Sequence, residues 1–302
     1  VERMGSSDGR VVIVTGSSRG LGRAHALAFA ADGARVLDND LGVESDGSAG
    51  TSDAANEVVE EIRAAGGEAE ANAADVADWQ QAGAMVQQAI DTWGGLDTLV
   101  CNAGFLRDRM LAGMSEDEWD SVTRVHLKGH FAPARHAIEF WRDRSKAGEP
   151  VAARVVNTSS GAGLAGSIGQ GNYAAAKAGI ALLTIQQAAE WGRYGVAVNA
   201  IAPDARTRMT EGVFYSAEAP EGWDEKAPEN VSPLVVWLGS EACDVTGRVF
   251  ECTGGQLNVC DGWQTGPIES VGERSMSIAE AGELAHRSID GAPEPHPGHG
   301  AS

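Results

Sequence analysis

The chain has 302 residues, is 43% hydrophobic and has a formal net charge of −20. This balance argues against a nucleic-acid-binding surface, which needs a basic face, and against electrostatic docking on anionic membranes. No apolar run reaches the ~18–20 residues that span a bilayer, and the N-terminus has no apolar signal core, so we expect a cytoplasmic protein.

Strand-like and helix-like segments alternate along the chain. Apolar, β-branched runs predict strands, and segments with helical spacing that end at glycine predict helices. The predicted strands cover residues 10–16, 34–40, 68–76, 96–104, 153–160, 196–203 and 247–255. The predicted helices cover residues 21–33, 52–67, 78–95, 115–144, 173–195 and 232–242. This alternation predicts one doubly wound α/β domain with a parallel sheet of about seven strands and helices on both faces.

The domain is expected to occupy residues 8–262. From about Ser270 onward the chain is polar, and it ends in a Pro/Gly/His-rich run that cannot build a core. Residues 263–302 are therefore predicted to be an extension, partly disordered or packed on a neighbouring subunit. His296 and His299 fit a frayed terminus better than a metal site. No C-x-x-C pair occurs, so we expect no metal site and reduced thiols at Cys101, Cys243, Cys252 and Cys260.

The turn TGSSRGLG, residues 15–22, joins the first predicted strand to the first predicted helix. Glycines in such a turn permit a tight bend and close backbone approach, and a helix N-terminus offers free N–H groups to a pyrophosphate. Its G-x-x-x-G-x-G spacing differs from the G-x-G-x-x-G of other dinucleotide folds. We predict that a dinucleotide cofactor is held by Gly16, Ser18, Arg19, Gly20, Leu21 and Gly22.

Asp40 ends the second predicted strand. A carboxylate there can accept hydrogen bonds from both adenosine ribose hydroxyls and repels a 2′-phosphate, which favours NAD over NADP. Arg19 is the opposing signal, because its guanidinium could hold that phosphate. Asp38 is the competing carboxylate. By strand alternation its side chain points to the same face of the sheet as that of Asp40, but it lies further from the strand end. Asp75, followed by Val76, ends the third predicted strand, where it either reads the adenine amino group or is only a turn residue.

Tyr173 and Lys177 are four residues apart and share one face of a predicted helix. A free tyrosine titrates near 10, but a nearby ammonium and a nicotinamide's positive charge would lower that pKa and suit the phenol to general-base work. Ser160 ends the fifth predicted strand, so it reaches the carboxyl edge of the sheet, where open α/β folds bind ligands. Ser159 should point to the opposite face.

Four motifs in this order resemble the short-chain dehydrogenase/reductase family: TGSSRGLG, the CNAG of residues 101–104, Ser160 and YAAAK. The resemblance covers roughly residues 8–262. It implies a Rossmann-type domain, hydride transfer with a nicotinamide cofactor, and a homodimer or homotetramer. In this family Tyr173 would be the general acid/base, and Ser160 would orient the substrate carbonyl.

The same resemblance implies further cofactor contacts. Lys177 would partner the tyrosine and bind the nicotinamide ribose. Asn102, Ala103 and Gly104 match the N-A-G that supports the sheet and the cofactor adenosine. Two positions depart from the family pattern: His126 replaces the usual asparagine of a proton relay, and Pro203 is followed by Asp204 rather than glycine. Pro203 is still expected to contact the nicotinamide side of the cofactor.

Finer similarity comes from NDLG, LRDRML, RVHLKG, GQGNYAAAK and IAPDARTRMT. These motifs resemble the (3R)-hydroxyacyl-CoA dehydrogenase unit of multifunctional β-oxidation enzymes and its bacterial single-domain relatives. They imply NAD-dependent oxidation of a 3-hydroxyacyl-CoA or a steroid-type alcohol. Residues 204–230 are the predicted lid, with Met209, Phe214 and Trp223 available for an apolar substrate or for packing.

Two other functions compete with this one. An NADPH-dependent reductase of 3-oxoacyl thioesters or simple ketones is motivated by Arg19. The other hypothesis is a nucleotide-binding protein without turnover, and its only support is that His126 and Asp204 depart from the family pattern.

Overall fold

The computed structural model describes residues 5–42, 44, 47–48, 54–207, 209–210, 215, 220–260, 262, 268–290 and 299. Phe214 and His296 lie outside these ranges. The strands are β1 (Val11–Thr15), β2 (Arg35–Asn39), β3 (Glu68–Asn72), β4 (Thr98–Cys101), β5 (Ala153–Thr158), β6 (Val196–Pro203), β7 (Val249–Thr253) and β8 (Gln256–Cys260). The helices are α1 (Gly20–Ala31), α2 (Ala54–Ala64), α3 (Trp79–Trp93), α4 (Glu116–Thr123), α5 (Gly129–Lys146), α6 (Gly161–Ala165), α7 (Gly171–Trp191), α8 (Ser232–Gly239) and α9 (Ile278–Asp290).

Within the described part of the chain, eight strands form one sheet in the order β3-β2-β1-β4-β5-β6-β7-β8. Strands β1 to β7 pair in parallel, whereas β8 pairs antiparallel with β7. The predicted doubly wound α/β fold is confirmed. Strand order reverses between β1 and β4, and such a switch point opens a crevice at the carboxyl edge of the sheet.

The core lies in two layers because the central strands are buried on both faces. Every residue of β1 and β5 is buried. One layer packs α1, α2 and α8 on the sheet, with Phe29, Ile62 and Leu238 at its centre. The other packs α3, α5 and α7 on the opposite face, around Met85 and Trp141. Each such side chain contributes roughly 1.5–3 kcal/mol by burial, which holds the strand ends in register.

The amino edge of the sheet is fastened by Arg10. Its Nη2 donates to the Thr98 hydroxyl at 3.1 Å, the Asp97 carbonyl at 3.0 Å and the Ala152 carbonyl at 2.9 Å. The Asp97 carboxylate accepts from the Val11 N–H at 2.8 Å. These bonds join β1 to the segments that precede β4 and β5, at the edge opposite the crevice.

Several observed elements differ from the predicted ones. Strand β8 was not predicted, because its side chains are largely exposed on an edge strand. The predicted helix 115–144 is interrupted by a π-helical segment, Arg124–Lys128, although the capping box of Ser115 and Glu118 forms as expected. Strand β3 ends at Asn72, before Asp75.

Within the predicted C-terminal extension, residues Ile278–Asp290 form α9, in which Leu284 is buried. No helix was predicted there, and packing of the extension on a neighbouring subunit stays a prediction. No helix in the described ranges is long and apolar enough to cross a membrane.

Candidate active site

The glycine turn between β1 and α1 is built for close backbone approach. Gly16 and Gly20 have φ values of +66° and +53°, which disfavour any side chain. A Cβ on Gly22 would lie 2.0 Å from the Gly16 carbonyl oxygen. Arg19 precedes the first residue of α1 and makes no side-chain cap. The N–H groups of this helix start are therefore presented to the crevice, and the turn fits a pyrophosphate.

Asn102 fastens this turn to the end of β4. Its Nδ2 donates to the carbonyls of Thr15 at 3.0 Å and Gly16 at 3.1 Å. The Thr15 hydroxyl accepts from the N–H groups of Asn102 and Ala103 at 2.9 and 3.1 Å. Asn102 therefore holds the sheet and the glycine turn together.

Asp40 lies immediately after β2, at the rim of the crevice. Its Oδ2 accepts from the Ser18 hydroxyl at 2.6 Å and the Ser18 N–H at 3.1 Å, and its Oδ1 accepts from the Gly42 N–H at 2.7 Å. Asp38 is fully buried, and burial raises its pKa to about 7. Arg19 lies 3.8 Å from Glu44, with both side chains nearly half exposed. Of the two aspartates, only Asp40 lines the crevice.

Asp75 lies in the turn before α3. Its Oδ1 accepts from the Ala77 N–H at 2.8 Å, and its Oδ2 pairs with Arg124 at 2.6 Å. Asp75 is therefore a turn residue, one of the two roles predicted for it. Its Oδ2 is occupied by the ion pair with Arg124. Asp75 and Val76 still line the crevice.

The crevice is a cavity of about 1330 Å³. It is lined by twelve of the predicted cofactor residues, namely Gly16, Ser18, Arg19, Gly20, Leu21, Gly22, Asp40, Asp75, Val76, Asn102, Ala103 and Gly104. Its far side runs between α4, the π-helical segment Arg124–Lys128, α5 and α7, where Leu127, Phe131 and Leu182 are exposed. Tyr173, Lys177, Ser160, His126 and Pro203 do not line it. His126 adjoins the Gly104 wall of the cavity, and Tyr173 packs on His126.

The predicted catalytic side chains lie together at the carboxyl edge. Ser160 precedes α6 and accepts from the Ala162 N–H at 3.2 Å. Its hydroxyl also interacts with Tyr173, which opposes the rise in the pKa of the phenol. The Ser159 hydroxyl donates to the Lys177 carbonyl at 2.8 Å, away from the tyrosine. This difference follows from strand alternation, which turns successive side chains to opposite faces.

Lys177 is buried one helical turn after Tyr173. Its Nζ donates to the Thr158 carbonyl at 2.6 Å and lies 5.4 Å from the centroid of the Tyr173 ring. Burial lowers the pKa of Lys177 to about 7, because a desolvated ammonium is costly. The lysine is thus able to gain or lose a proton near neutral pH.

The protein's own groups raise the pKa of Tyr173 above its ordinary value. Burial is the main cause, the charge of Asp108 adds to it, and the interaction with Ser160 opposes it. The expected lowering also counted a nicotinamide's positive charge and stays a prediction. Desolvation, which disfavours a phenolate, was not weighed in that prediction.

His126 lies in the π-helical segment and touches the tyrosine. Its ring stands edge-on to the Tyr173 ring, with centroids 5.1 Å apart, and its Nε2 lies 2.8 Å from the Phe105 carbonyl oxygen. Burial lowers its pKa to about 3, so the ring is neutral and Nε2 bears the proton donated to Phe105. His126 therefore packs beside the tyrosine as a neutral ring.

The segment after Pro203 is anchored by ion pairs that the sequence reading did not identify. Asp204 pairs with Lys226 at 2.7 Å and accepts a hydrogen bond from the Tyr215 hydroxyl. Arg206 pairs with Asp224 at 3.1 Å. In the sequence, the one sign of a different loop was Asp204, which stands where the family usually has glycine. Met209 lines the cavity, and Trp223 is 70% exposed.

Comparison with known proteins agrees with this geometry. A model of the short chain dehydrogenase family matches residues 10–216. The chain belongs to this family. It is therefore an oxidoreductase, as the sequence resemblance implied, and not a nucleotide-binding protein without turnover.

Individual relatives point the same way. The dehydrogenase is 46% identical over 260 residues to "Hydroxyacyl-CoA dehydrogenase ChsB1" of Mycobacterium tuberculosis, covering 83% of this chain and 79% of that protein. It is 44% identical over 251 residues to "Peroxisomal multifunctional enzyme type 2" of Mus musculus, covering 83% of this chain but only 32% of that protein. A crystal structure of a short chain dehydrogenase from Mycobacterium avium superposes with a TM-score of 0.88 at 60% identity, covering 98% of this chain and 100% of that one.

Proposed function

We propose that this dehydrogenase oxidises the secondary alcohol of a 3-hydroxyacyl-CoA, or of a similar bulky steroid-type substrate, with NAD. The observation that carries the proposal is the cluster of Ser160, Tyr173 and Lys177 at the carboxyl edge of the sheet, where His126 separates the tyrosine from the Gly104 wall of a dinucleotide-sized crevice. The substrate class is supported by the similarity to a protein named hydroxyacyl-CoA dehydrogenase.

The residues present fit a nicotinamide dinucleotide. The glycine turn would hold the pyrophosphate, Asp40 the adenosine ribose, and Lys177 the nicotinamide ribose. Gly104 and Pro203 are proposed to flank the nicotinamide end. When bound, the nicotinamide supplies the acceptor for the hydride that leaves the alcohol carbon.

The chain's own groups handle the proton. The Ser160 hydroxyl holds the substrate oxygen, and the phenolate oxygen of Tyr173 takes the proton from the alcohol. The C–O bond becomes a carbonyl as the C–H hydride departs, so one proton and one hydride leave the substrate. Lys177, with its pKa near 7, passes a proton to or from the tyrosine.

The first test is NADH formation from a (3R)-hydroxyacyl-CoA, with a steroid 17-alcohol in parallel and NADP as the competing cofactor. Tyr173→Phe should lower kcat by about 10²–10⁴-fold, because it removes the acid/base oxygen. Tyr194→Phe is the matched control, since Tyr194 packs under Arg193 in a separate turn. Full turnover by Tyr173→Phe would overturn the mechanism.

The NADPH-dependent reductase remains the second candidate, and Arg19 at the crevice rim supports it. Glu44 lies against this arginine and would oppose a 2′-phosphate, so we favour NAD. A clear preference for NADPH would establish the reductase. We also propose a cytoplasmic homodimer or homotetramer, which light scattering of the purified chain tests.

A further inference from the structure

Residues 166–170 form the loop that connects α6 to α7, and one edge of this α6–α7 loop is fastened to the segment after β4. The Arg109 N–H donates to the Gly169 carbonyl at 2.7 Å. Gln170 Nε2 donates to Asp108 Oδ2 at 2.9 Å. That edge of the loop is therefore already paired within the catalytic domain.

The other edge of the α6–α7 loop pairs with His299, a residue of the predicted C-terminal extension. The His299 N–H donates to the Gly166 carbonyl at 3.0 Å, and the His299 carbonyl accepts from the Ile168 N–H at 2.9 Å. Ser167 and His299 thus form a parallel β-bridge. The sequence had indicated a frayed terminus at this histidine, whereas its backbone is hydrogen-bonded to a loop of its own chain.

The imidazole of His299 fills the space beside the residue that follows Ser160. Gly161 has no side chain, and a Cβ at this position would lie 3.2 Å from His299 Nε2 and 3.8 Å from His299 Cε1. Glu251 of β7 borders the same space, with its Oε1 3.9 Å from that Cβ position. A side chain of the extension therefore occupies the space into which a side chain at residue 161 would extend.

This space adjoins the catalytic residues on a side that the cofactor crevice does not use. Neither His299 nor the α6–α7 loop lines the crevice. The two ends of the loop lead to both catalytic groups, because Ser160 directly precedes α6 and Tyr173 lies in the first turn of α7. Neither residue is fully buried. With a dinucleotide in the crevice, an alcohol substrate has to reach them from the side that the loop borders.

We propose that His299 is a specificity-determining residue, whose imidazole forms a wall of the substrate pocket beside Ser160 and limits the bulk of the group that the alcohol carbon can carry there. Its backbone hydrogen bonds to Gly166 and Ile168 hold this wall in place. The proposal rests on the proposed function of Ser160 and Tyr173, and it adds a limit on the shape of the substrate.

The test compares a straight-chain (3R)-hydroxyacyl-CoA with analogues that carry a methyl branch on either carbon next to the alcohol carbon. His299→Ala removes the imidazole and keeps both backbone hydrogen bonds. The ratio of kcat/KM for a branched substrate to that for the straight-chain one should rise about tenfold for at least one branch position. This lies at the low end of the 10–200-fold effect of one methylene in a pocket, because His299 is exposed and its ring can move.

Two further variants separate the wall from a general effect on folding. His299→Gln, which has a side chain of similar volume, should keep the parent ratio. His299→Pro removes the N–H that bonds Gly166 and should raise the ratio as His299→Ala does. A loss of stability alone would lower kcat/KM for every substrate alike and leave the ratio unchanged. Cofactor binding, measured by NADH fluorescence, verifies that each variant is folded.

The matched control is His286→Ala, because His286 is exposed on α9 of the same extension and its removal should leave the ratio at the parent value. A parent-like ratio for both branch positions in His299→Ala would overturn the inference, and if Tyr173→Phe is inactive at the same time, only this inference fails. If the parent turns over no hydroxyacyl-CoA, that proposed substrate class fails. The ratio is then measured with a steroid 17-alcohol with and without a methyl group on the neighbouring carbon, and the same rise or its absence decides the role of His299.

Discussion

At the scale of single residues, Asp40 should decide the choice of cofactor. Its carboxylate is oriented by Ser18 and Gly42, which places it to accept from the ribose hydroxyls and to repel a 2′-phosphate. Asp40→Ser removes both effects. Losing charged hydrogen bonds of about 1.5–3 kcal/mol should lower kcat/KM for NAD at least about tenfold, while NADP use rises.

The measurement is the ratio of kcat/KM for NAD to that for NADP. Asp91→Ser is the control, because Asp91 is exposed on α3 and accepts a hydrogen bond from Gln87. A ratio in Asp40→Ser equal to that of the parent would show that another group selects the cofactor.

The positions of Ser160, Tyr173 and Lys177 could be predicted because helical and strand periodicity place side chains reliably. Their ionisation could not. The raised pKa of Tyr173 depends on burial and on Asp108, which lies 65 residues earlier in the chain. Asp108 and Gln170 both lie within motifs that carried the family resemblance, but only the fold shows that they touch.

At the scale of elements, the π-helical segment carries His126 against Gly104. A Cβ on Gly104 would lie 2.1 Å from His126 Cε1 and 2.8 Å from both ring nitrogens. Gly104→Ala should therefore displace the ring and lower the free energy of unfolding by about 1–3 kcal/mol, the usual cost of overpacking. It should also lower kcat/KM, because the ring packs on Tyr173.

Urea denaturation and steady-state kinetics check this prediction. Gly95→Ala is the matched control, since its nearest neighbour is Arg144 Nη1 at 3.9 Å. Unchanged stability and kinetics in Gly104→Ala would mean that the ring accommodates the methyl group without cost.

Parallel strands were easy to predict because burial on both faces makes them continuous apolar runs. Strand β8 and the π-helical segment were not, for different reasons. β8 exposes Leu257 and Val259 on an edge, so it lacks the pattern of a half-buried strand. The sequence of the π segment keeps helical spacing, so its pattern does not mark the local change to i→i+5 hydrogen bonding.

At the scale of the whole molecule, acid should destabilise the fold through buried neutral histidines. Burial lowers the pKa of His25 from the usual value of about 6.5 to about 3, and the pKa values of His126 and His130 are lowered too. The unfolded chain binds these protons more readily than the folded one. The free energy of unfolding should therefore fall as pH drops below about 6.5, by up to about 1.4 kcal/mol per pH unit for each histidine.

His25→Leu should make this dependence shallower between pH 6.5 and pH 3, as measured by urea denaturation across that range. His286→Leu is the control, because His286 is exposed on α9. An identical pH slope in His25→Leu and the parent would mean that His25 is not protonated on unfolding in this range.

The Arg10 clamp at the amino edge has a consequence for how this enzyme can be altered. Its bonds to the segments before β4 and β5 hold the strands at the end farthest from Tyr173 and Asp40. Substitutions that reshape the substrate pocket lie at the carboxyl edge of the sheet, away from the hydrogen bonds of Arg10. The stability that they cost can therefore be restored by substitutions at the amino edge. Directed evolution toward new alcohols could begin by reinforcing the amino edge, which adds tolerance for mutation without touching a reacting atom.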